Sequence, residues 1–284
     1  MTHRYVLTVS CPDCSGIIAA VSSFVASYGG MIDESASHTD LYLKRFFLRQ
    51  EILADSLPFG IDELRKQFSA IANDFKMDWK ISDSAAKKRV VILVSRQDHC
   101  LVDLLYRWRS QDFSFDIACV ISNHDDLRDV VIWHGIPYLH IPVTAKTKLA
   151  AHQEMWRLFE QHRGDVMVLA RYMQILPAEM CTAFTDKIIN IHHGLLPAFV
   201  GAKPYHQALE RGVKQIGATC HYITSELDAG PIIEQDVIRV DHTDTVEDLI
   251  QLGRDIEKTV LSRGVRYHVE DRVLVHGNKT VVFK

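Results

Sequence analysis

The chain carries an amide, an imidazole and a carboxylate whose spacing suits acyl chemistry. Asn190 and His192 lie two residues apart in an apolar run, and Asp228 follows 36 residues after His192 in the turn-forming sequence Leu-Asp-Ala-Gly-Pro. Side chains alternate along a strand, so Asn190 and His192 are predicted to share one face. There the amide and the imidazole can stabilise an oxyanion, and the carboxylate can manage protons. A strand-end cap, a core histidine and a turn aspartate would explain the same residues, so spacing alone leaves both interpretations open.

Histidine is frequent in this chain, with fifteen in 284 residues. His193, His206 and His221 are expected near the crevice that holds His192, with His193 in a supporting position. Four histidines in this short stretch raise the alternative of a metal site. However, no helical H-x-x-x-H pair, no paired carboxylates and no suitably spaced cysteines accompany them. No metal is therefore predicted.

The six cysteines lie mostly within apolar runs, where a reduced cysteine behaves as a small hydrophobic residue. A disulfide framework is not expected in a chain of this length. Cys11 and Cys14 form a C-x-x-C sequence, which raises a redox alternative. Their predicted position in the loop after the first strand makes redox chemistry the weaker interpretation.

From Val90 onward, strands alternate with helices, and these elements would position the trio Asn190, His192 and Asp228. Short apolar runs separated by helical patterns are typical of a parallel sheet covered on both faces. In such a sheet the ligand crevice lies beyond the carboxyl ends of the strands, so segments after Ser95, Ala170 and Ile191 should line it. A long helix from Thr245 to about Arg263 is also predicted. The predicted strands are 90–95, 115–121, 138–141, 166–170, 188–191, 217–223 and 232–240, followed by a hairpin around 276–278.

The first 81 residues have a different pattern, in which the predicted elements follow the order βαββαβ. Residues 82–89 carry no large apolar side chain and are predicted to be a linker. We therefore expect an α/β protein with two domains, residues 1–81 and 90–284.

Composition excludes several classes of function. Lys and Arg total 32 against 36 Asp and Glu, and the net charge of −4 argues against a general nucleic-acid binder, which needs a concentrated basic surface. No apolar run approaches the length of a membrane span, and the first ten residues lack the pattern of a signal peptide. A cytoplasmic protein without membrane or nucleic-acid partners is expected.

A series of motifs in the second part resembles, in order, the signature of the folate-dependent formyltransferases. The whole chain resembles one branch of them, the formyltetrahydrofolate deformylase family, in which an ACT domain precedes a formyltransferase-like domain with a Rossmann-like, mainly parallel sheet. Cys11-Pro-Asp, His99 to Arg109 and Ala202 to Ala208 resemble that branch. The superfamily motifs are Asn190-Ile-His192-x-x-Leu-Leu-Pro197, Phe199-x-Gly201, Gln207-Ala-Leu, Gly217-Ala-Thr-x-His221 and Leu227-Asp228-x-Gly230-x-Ile-Ile.

The resemblance implies that Asn190, His192 and Asp228 are catalytic and that two loops form a pterin pocket. A flat heteroaromatic ring needs apolar faces and a few fixed polar groups at its edge, which agrees with the mixed composition of these loops. Met173, Ile175 and Leu176 could equally fill a core under the sheet. No cofactor is expected, because 10-formyltetrahydrofolate is the substrate. The implied substrate-binding residues are Arg171, Met173, Gln174, Leu176, Ile223, Thr224 and Glu226.

A hydrolase and a transferase differ in the molecule that accepts the formyl group, which is water in the first and an amine in the second. Relatives that formylate an amino-ribonucleotide phosphate have a Gly/Ser-rich turn after the first strand of the catalytic domain, whereas Ser95 to Cys100 contains no glycine and includes Asp98. Water is therefore the expected acceptor. The expected reaction is hydrolysis of 10-formyltetrahydrofolate to formate and tetrahydrofolate, which feeds formate to purine synthesis. The alternatives are formyl transfer to an amine and a catalytically silent folate-binding or amino-acid-sensing module.

An ACT domain implies assembly into a homo-oligomer and binding of an amino-acid effector, methionine or glycine in the resembling family. The implied effector-binding residues are Asp13, Gly16, Gly30 and Met31. Met31 stands where such domains commonly carry Asn, which removes a polar contact for the effector.

Overall fold

A computed structural model describes residues 2–112, 114–198 and 204–284. The chain forms two compact units. Unit 1 contains residues 1–87, 270–276 and 281–284, and unit 2 contains residues 88–269 and 277–280. The C-terminal residues therefore depart from the expectation that residues 90–284 form a single domain. The predicted linker 82–89 is also shorter than expected, because one strand continues to Asp83 and the next begins at Lys88.

Unit 1 is a four-stranded antiparallel sheet of order β2-β3-β1-β4 with two helices. The order of its elements along the chain is βαββαβ, which is the ferredoxin-like arrangement. A short 3-10 turn, Ala54–Ser56, follows β3. The elements are β1 Arg4–Pro12, α1 Ile17–Ser27, β2 Ile32–Asp40, β3 Arg45–Leu53, α2 Ile61–Asp74 and β4 Asp78–Asp83.

The helices of unit 1 pack on the sheet through apolar stripes with helical spacing. Val21 and Phe24 on α1 join Leu64 and Phe68 on α2, and the inward side chains of β1 complete this core. Burial of these side chains contributes most of the stability that an isolated helix lacks.

The C-terminal residues of unit 1, here called the strap (270–276 and 281–284), cover part of its sheet. Phe47 of β3 packs against Leu274 and Phe283 in a separate apolar cluster. Arg49 is 1% exposed, and its guanidinium donates hydrogen bonds to the backbone carbonyls of residues 270 and 271 at 3.1 Å each. Unit 1 therefore needs both ends of the chain to bury this part of its sheet.

Unit 2 is built on a seven-stranded sheet of order β11-β10-β9-β8-β5-β6-β7. The strands from β9 to β7 in this order run parallel, whereas β10 is antiparallel to both β9 and β11. The central parallel strands are apolar runs because helices cover both faces. The strands are β5 Lys88–Val94, β6 Phe115–Ser122, β7 Tyr138–His140, β8 Val166–Ala170, β9 Ile188–His192, β10 Gln215–Tyr222 and β11 Ile232–Arg239.

In the described part of unit 2, six helices connect or cover these strands, and a hairpin follows the last helix. The last helix, α8, ends at Val269 rather than at the predicted Arg263. Gly264 lies inside it, where a Cβ would be 2.3 Å from Cys220 Sγ, so this glycine allows close packing on β10. The helices are α3 His99–Ser110, α4 Arg128–Trp133, α5 Lys148–Gln161, α6 Ala178–Ala183, α7 Pro204–Glu210 and α8 Val246–Val269, and the hairpin strands are β12 Val273–His276 and β13 Lys279–Val282.

Strand register brings the candidate chemistry together. In the antiparallel pair β9–β10, Asn190 lies opposite His221, and His192 lies opposite Thr219. Directly opposed side chains on neighbouring strands interact, so each trio member on β9 has a polar neighbour on β10.

Among the described residues, no helix has both the length and the apolar character needed to cross a membrane.

Candidate active site

A cavity of about 460 Å³ lies in unit 2, at the carboxyl ends of β8 and β9. Asn190, His192 and Asp228 all line it, so the structure brings the predicted trio to one cavity. Crevices at this edge of an open α/β sheet are the usual ligand sites. The other lining residues are Leu169, Arg171, Tyr172, Met173, Gln174, Ile175, Leu176, Cys181, Ile191, His193, His221, Ile223, Thr224, Ser225, Glu226 and Leu227.

Asn190 is held by a buried histidine. The distance between Asn190 Nδ2 and His221 Nε2 is 3.1 Å, and His221 Nδ1 lies 2.9 Å from the carbonyl oxygen of Tyr222. A carbonyl only accepts, so His221 Nδ1 carries a proton and donates it. Burial lowers the pKa of His221 and keeps the ring neutral, although the hydrogen bond to Tyr222 opposes that shift. Neutral His221 therefore accepts at Nε2 from Asn190, which leaves the second N–H of the amide for a ligand.

His192 and Asp228 form the second pair of the site. His192 Nδ1 lies 3.3 Å from Asp228 Oδ2. His192 Nε2 is buried and has no hydrogen-bond partner among the described residues. An unsatisfied buried nitrogen is unfavourable, so this atom has hydrogen-bonding capacity for a reacting group.

The charge state of the site follows from these contacts. The hydrogen bond from His192 lowers the pKa of Asp228 and outweighs the opposing effect of burial. Asp228 is thus an ionised acceptor at neutral pH. Burial, with the charge of Arg171, lowers the pKa of His193 to about 4, so this histidine is neutral. Asp228 also has a left-handed backbone with φ of 53°, a strained conformation found at functional sites.

The surrounding backbone is fixed by buried polar contacts. Thr219 Oγ1 donates to the carbonyl of Gly194 at 2.7 Å and accepts from the backbone N–H of Leu196 at 3.1 Å. These bonds hold the loop that follows His192. In the loop after Asp228, a Cβ on Gly230 would lie 1.9 Å from the carbonyl oxygen of Tyr222. Close packing against the Tyr222 backbone therefore requires glycine at position 230.

All seven predicted substrate-binding residues line the cavity. Leu176 is buried, whereas the side chains of Met173 and Ile175 are 58% and 60% exposed. The alternative of a core position under the sheet is therefore wrong for Met173 and Ile175. Thr224 Oγ1 donates to the carbonyl of Glu226 at 3.0 Å, which stabilises the second wall. His206 is exposed and does not line this cavity, and Gly201 lies outside the described residues.

The predicted effector residues lie in unit 1 around the ends of α1. Asp13 donates its backbone N–H to the carbonyl of Lys44, and Gly16 precedes the helix with φ of 93°. A Cβ on Gly30 would lie 2.7 Å from Val25 Cγ1, so close packing explains this glycine. Met31 is exposed, and its backbone N–H donates to Ser56 Oγ.

Among the described residues, His99, Cys100 and Glu257 place three possible metal-ligand atoms close to one another. Burial raises the pKa of the Cys100 thiol well above its usual range, which disfavours the thiolate that a metal needs. Arg171 Nε also lies 3.3 Å from Glu257 Oε2, so a cation already neutralises the carboxylate. The residues fit an internal polar network better than a metal site.

All six cysteines are free thiols, and only Cys14 is exposed.

Unit 2 is similar to known formyl transferases in both sequence and fold. Residues 88–265 match the family model described as formyl transferase. A crystal structure of glycinamide ribonucleotide transformylase 1 from Symbiobacterium toebii is 30% identical with a TM-score of 0.66, and the match covers 70% of this chain and 95% of that chain. Unit 2 is therefore a formyltransferase-type domain.

Two further relatives match over nearly the full length. The crystal structure of a formyltetrahydrofolate deformylase from Pseudomonas syringae pv. tomato str. DC3000 is 59% identical with a TM-score of 0.98, and the match covers 100% of this chain and 95% of that chain. The formyltetrahydrofolate deformylase of Corynebacterium sp. (strain P-1) is 47% identical over 281 residues, or 99% of this chain and 98% of that protein. The chain belongs to the formyltetrahydrofolate deformylase family.

Two features of the site are not among the residues predicted from sequence to be functional. His221 was expected only to lie nearby, and its contact with Asn190 depends on the β9–β10 register. The second is Glu257, which no sequence motif marks. The available signal was its place in the buried stripe of α8, where a carboxylate between Ile256 and Val260 needs a partner.

Proposed function

We propose that the chain hydrolyses 10-formyltetrahydrofolate to formate and tetrahydrofolate. The observation that carries the proposal is the convergence of Asn190, His192 and Asp228 on one cavity, with His192 Nε2 unsatisfied. The cavity volume of about 460 Å³ suits a bound heteroaromatic ligand, and its wall combines apolar side chains with polar ones. Membership of the deformylase family points to the same reaction.

In the first step, water attacks the formyl carbon. Ionised Asp228 holds the proton on His192 Nδ1, so Nε2 is free to take a proton from the attacking water. Asp228 then stabilises the imidazolium that forms, and Nε2–H donates to the oxyanion. Asn190, oriented by His221, supplies a second donor to that oxygen.

In the second step, the carbon–nitrogen bond breaks. The oxyanion reforms the carbonyl, the electron pair of the broken bond goes to N10, and the imidazolium of His192 returns its proton to N10. The products are formic acid, which ionises to formate, and tetrahydrofolate. His192 and Asp228 regain their starting protonation states, so the site turns over without a cofactor.

Water is the proposed acceptor of the formyl group because side chains in the segment after β5 already form hydrogen bonds with other parts of the protein. Ser95 Oγ donates to Asn123 Oδ1 at 2.7 Å and accepts from the backbone N–H of Met173 at 3.0 Å. Gln97 Oε1 accepts from Arg171 Nε at 2.7 Å. These side chains brace the pocket wall. A phosphate-binding turn keeps this place open with small residues, whereas here it carries Gln97 and the acidic Asp98.

Unit 1 is proposed to be an ACT domain that assembles a homo-oligomer and binds methionine or glycine near Asp13, Gly16, Gly30 and Met31. Its βαββαβ topology supports the assignment. The enzyme is proposed to act in the cytoplasm, where the formate supports purine synthesis. Activity measured during titration with methionine and with glycine tests the regulatory role.

The central experiment incubates the purified full chain with 10-formyltetrahydrofolate, a chelator and no amine acceptor. Formate and tetrahydrofolate should appear in equal amounts at an enzymatic rate. Formate or formyl-amine formation only after addition of an amine would identify a transferase. No turnover under either condition would identify a binding module.

A further inference from the structure

Glu257 lies outside the proposed trio, yet it connects several elements around the site. It is a buried carboxylate in the middle of α8. Its Oε1 accepts from Tyr205 Oη at 2.6 Å, and its Oε2 lies 2.9 Å from His99 Nε2 and 3.3 Å from Arg171 Nε. One carboxylate thus connects α3, α7, α8 and the loop after β8.

The network has the features of a fixed arrangement. Gly253, one turn before Glu257, leaves room for the Tyr205 ring, because a Cβ there would lie 2.0 Å from Tyr205 Oη. Burial alone would disfavour the charged carboxylate, but His99, Arg171 and Tyr205 outweigh it and lower the pKa of Glu257. An ionised carboxylate therefore faces a buried guanidinium.

Arg171 is where this network reaches the cavity. It is the first residue after β8, it is buried, and it has a left-handed backbone with φ of 62°. A non-glycine residue in this conformation is strained and persists only where its surroundings hold it. The residues that follow, 172 to 176, form one wall of the cavity. The conformation of Arg171 therefore sets the direction in which the wall leaves the sheet.

We propose that Glu257 is a positioning residue for folate binding, which acts by pairing with Arg171 and so fixing the pocket wall 171–176. The inference rests on the proposed function only in the identity of the ligand. Arg171 keeps its hydrogen bond to Gln97 Oε1, but without the carboxylate the charge of its buried guanidinium is no longer neutralised, and the strained backbone then relaxes. The wall moves, whereas Asn190 and His192 on β9 keep their contacts with His221 and Asp228.

The test compares Glu257→Gln with Tyr205→Phe in the full chain. Glu257→Gln keeps the size of the side chain and removes its charge. We expect the Kd for tetrahydrofolate and the KM for 10-formyltetrahydrofolate to rise at least ~10-fold, with kcat within about threefold. Tyr205→Phe removes one donor to the same carboxylate and leaves the pair with Arg171, so Kd and KM should stay within about threefold.

A double-mutant cycle shows whether the effect passes through Arg171. Arg171→Met should weaken tetrahydrofolate binding, and the variant with both substitutions should be no weaker than the worse single variant. Unfolding midpoints measured on all four proteins identify any variant that fails to fold, and Glu257→Asp, which retains the charge, should recover part of the affinity.

Three results would overturn the proposal: unchanged Kd and KM in folded Glu257→Gln, equal losses in Tyr205→Phe, or additive effects in the cycle. Binding of tetrahydrofolate is measured without turnover. The proposed hydrolysis can therefore fail while this inference stands, and the reverse also holds.

Discussion

The contact between His221 and Asn190 gives a sharp prediction, because a buried neutral histidine acts on the reaction only through its neighbour. His221→Phe keeps a planar ring and removes both nitrogen atoms. Asn190 Nδ2 then loses its acceptor at 3.1 Å, and the amide is free to rotate. His221 Nε2 is 3.7 Å from Asp228 Oδ1, beyond hydrogen-bonding distance, so the direct effect on Asp228 is smaller.

The size of the effect has two limits. A neutral hydrogen bond contributes about 1 kcal/mol, which corresponds to about fivefold in rate. Complete loss of one oxyanion donor costs about 2.7–4 kcal/mol, or 10²–10³ in kcat. Misorientation of Asn190 falls between these limits. We therefore expect kcat for formate release to fall roughly 10- to 100-fold, with the Kd for tetrahydrofolate within about threefold.

Steady-state kinetics on four proteins test this reasoning: the wild type, His221→Phe, Asn190→Ala and the double variant. Because His221 acts through Asn190, adding His221→Phe to Asn190→Ala should cost less than about threefold. His221→Gln, which retains an acceptor for Asn190, should be closer to wild type than His221→Phe. Fully additive losses in kcat would refute the proposed orientation of Asn190 by His221.

Three further predictions concern stability and packing. The pKa of His193 is about 4 in the folded protein and near 6.5 in the unfolded chain, so the free energy of unfolding should fall as the pH drops from 6.5 to 4. Between pH 7 and pH 5, His193 should account for about 2 kcal/mol of this fall. Urea unfolding of His193→Gln at the two pH values should therefore show a fall that is smaller by that amount. Gly230→Ala should displace the loop of Asp228 and reduce kcat at least ~10-fold, because its Cβ would meet a backbone carbonyl; wild-type kcat would contradict this. Phe283→Ala should lower the unfolding free energy by about 3 kcal/mol, whereas the control Tyr42→Ala, at a 97% exposed position, should change it little; equal effects would show that the strap does not stabilise unit 1.

Local sequence patterns predicted the parts of the molecule that depend on local rules. Alternation along β9 placed Asn190 and His192 on one cavity, and the apolar runs identified the strands of unit 2. The end of α8 was predicted too early, because Gly264 resembles a helix terminator and is instead a packing residue on β10. Tertiary packing overrode the local signal there.

The remaining features depend on contacts between distant positions. The strap joins unit 1 because Leu274 and Phe283 bury Phe47, which no local pattern encodes. Glu257 and Arg171 meet only when α8 packs beside the loop after β8. Residues of this kind are found from sequence only as buried charges that need a partner.

The central claim is that Asp228, acting with His192, drives attack of water on the formyl group. The most direct measurement is kcat for formate release by Asp228→Asn, with a chelator and no amine present. Tetrahydrofolate affinity measured on the same preparation is the control for folding. We predict a fall of ~10²–10⁴ in kcat with affinity within a few fold of wild type. Near-wild-type formate release by Asp228→Asn would contradict the account.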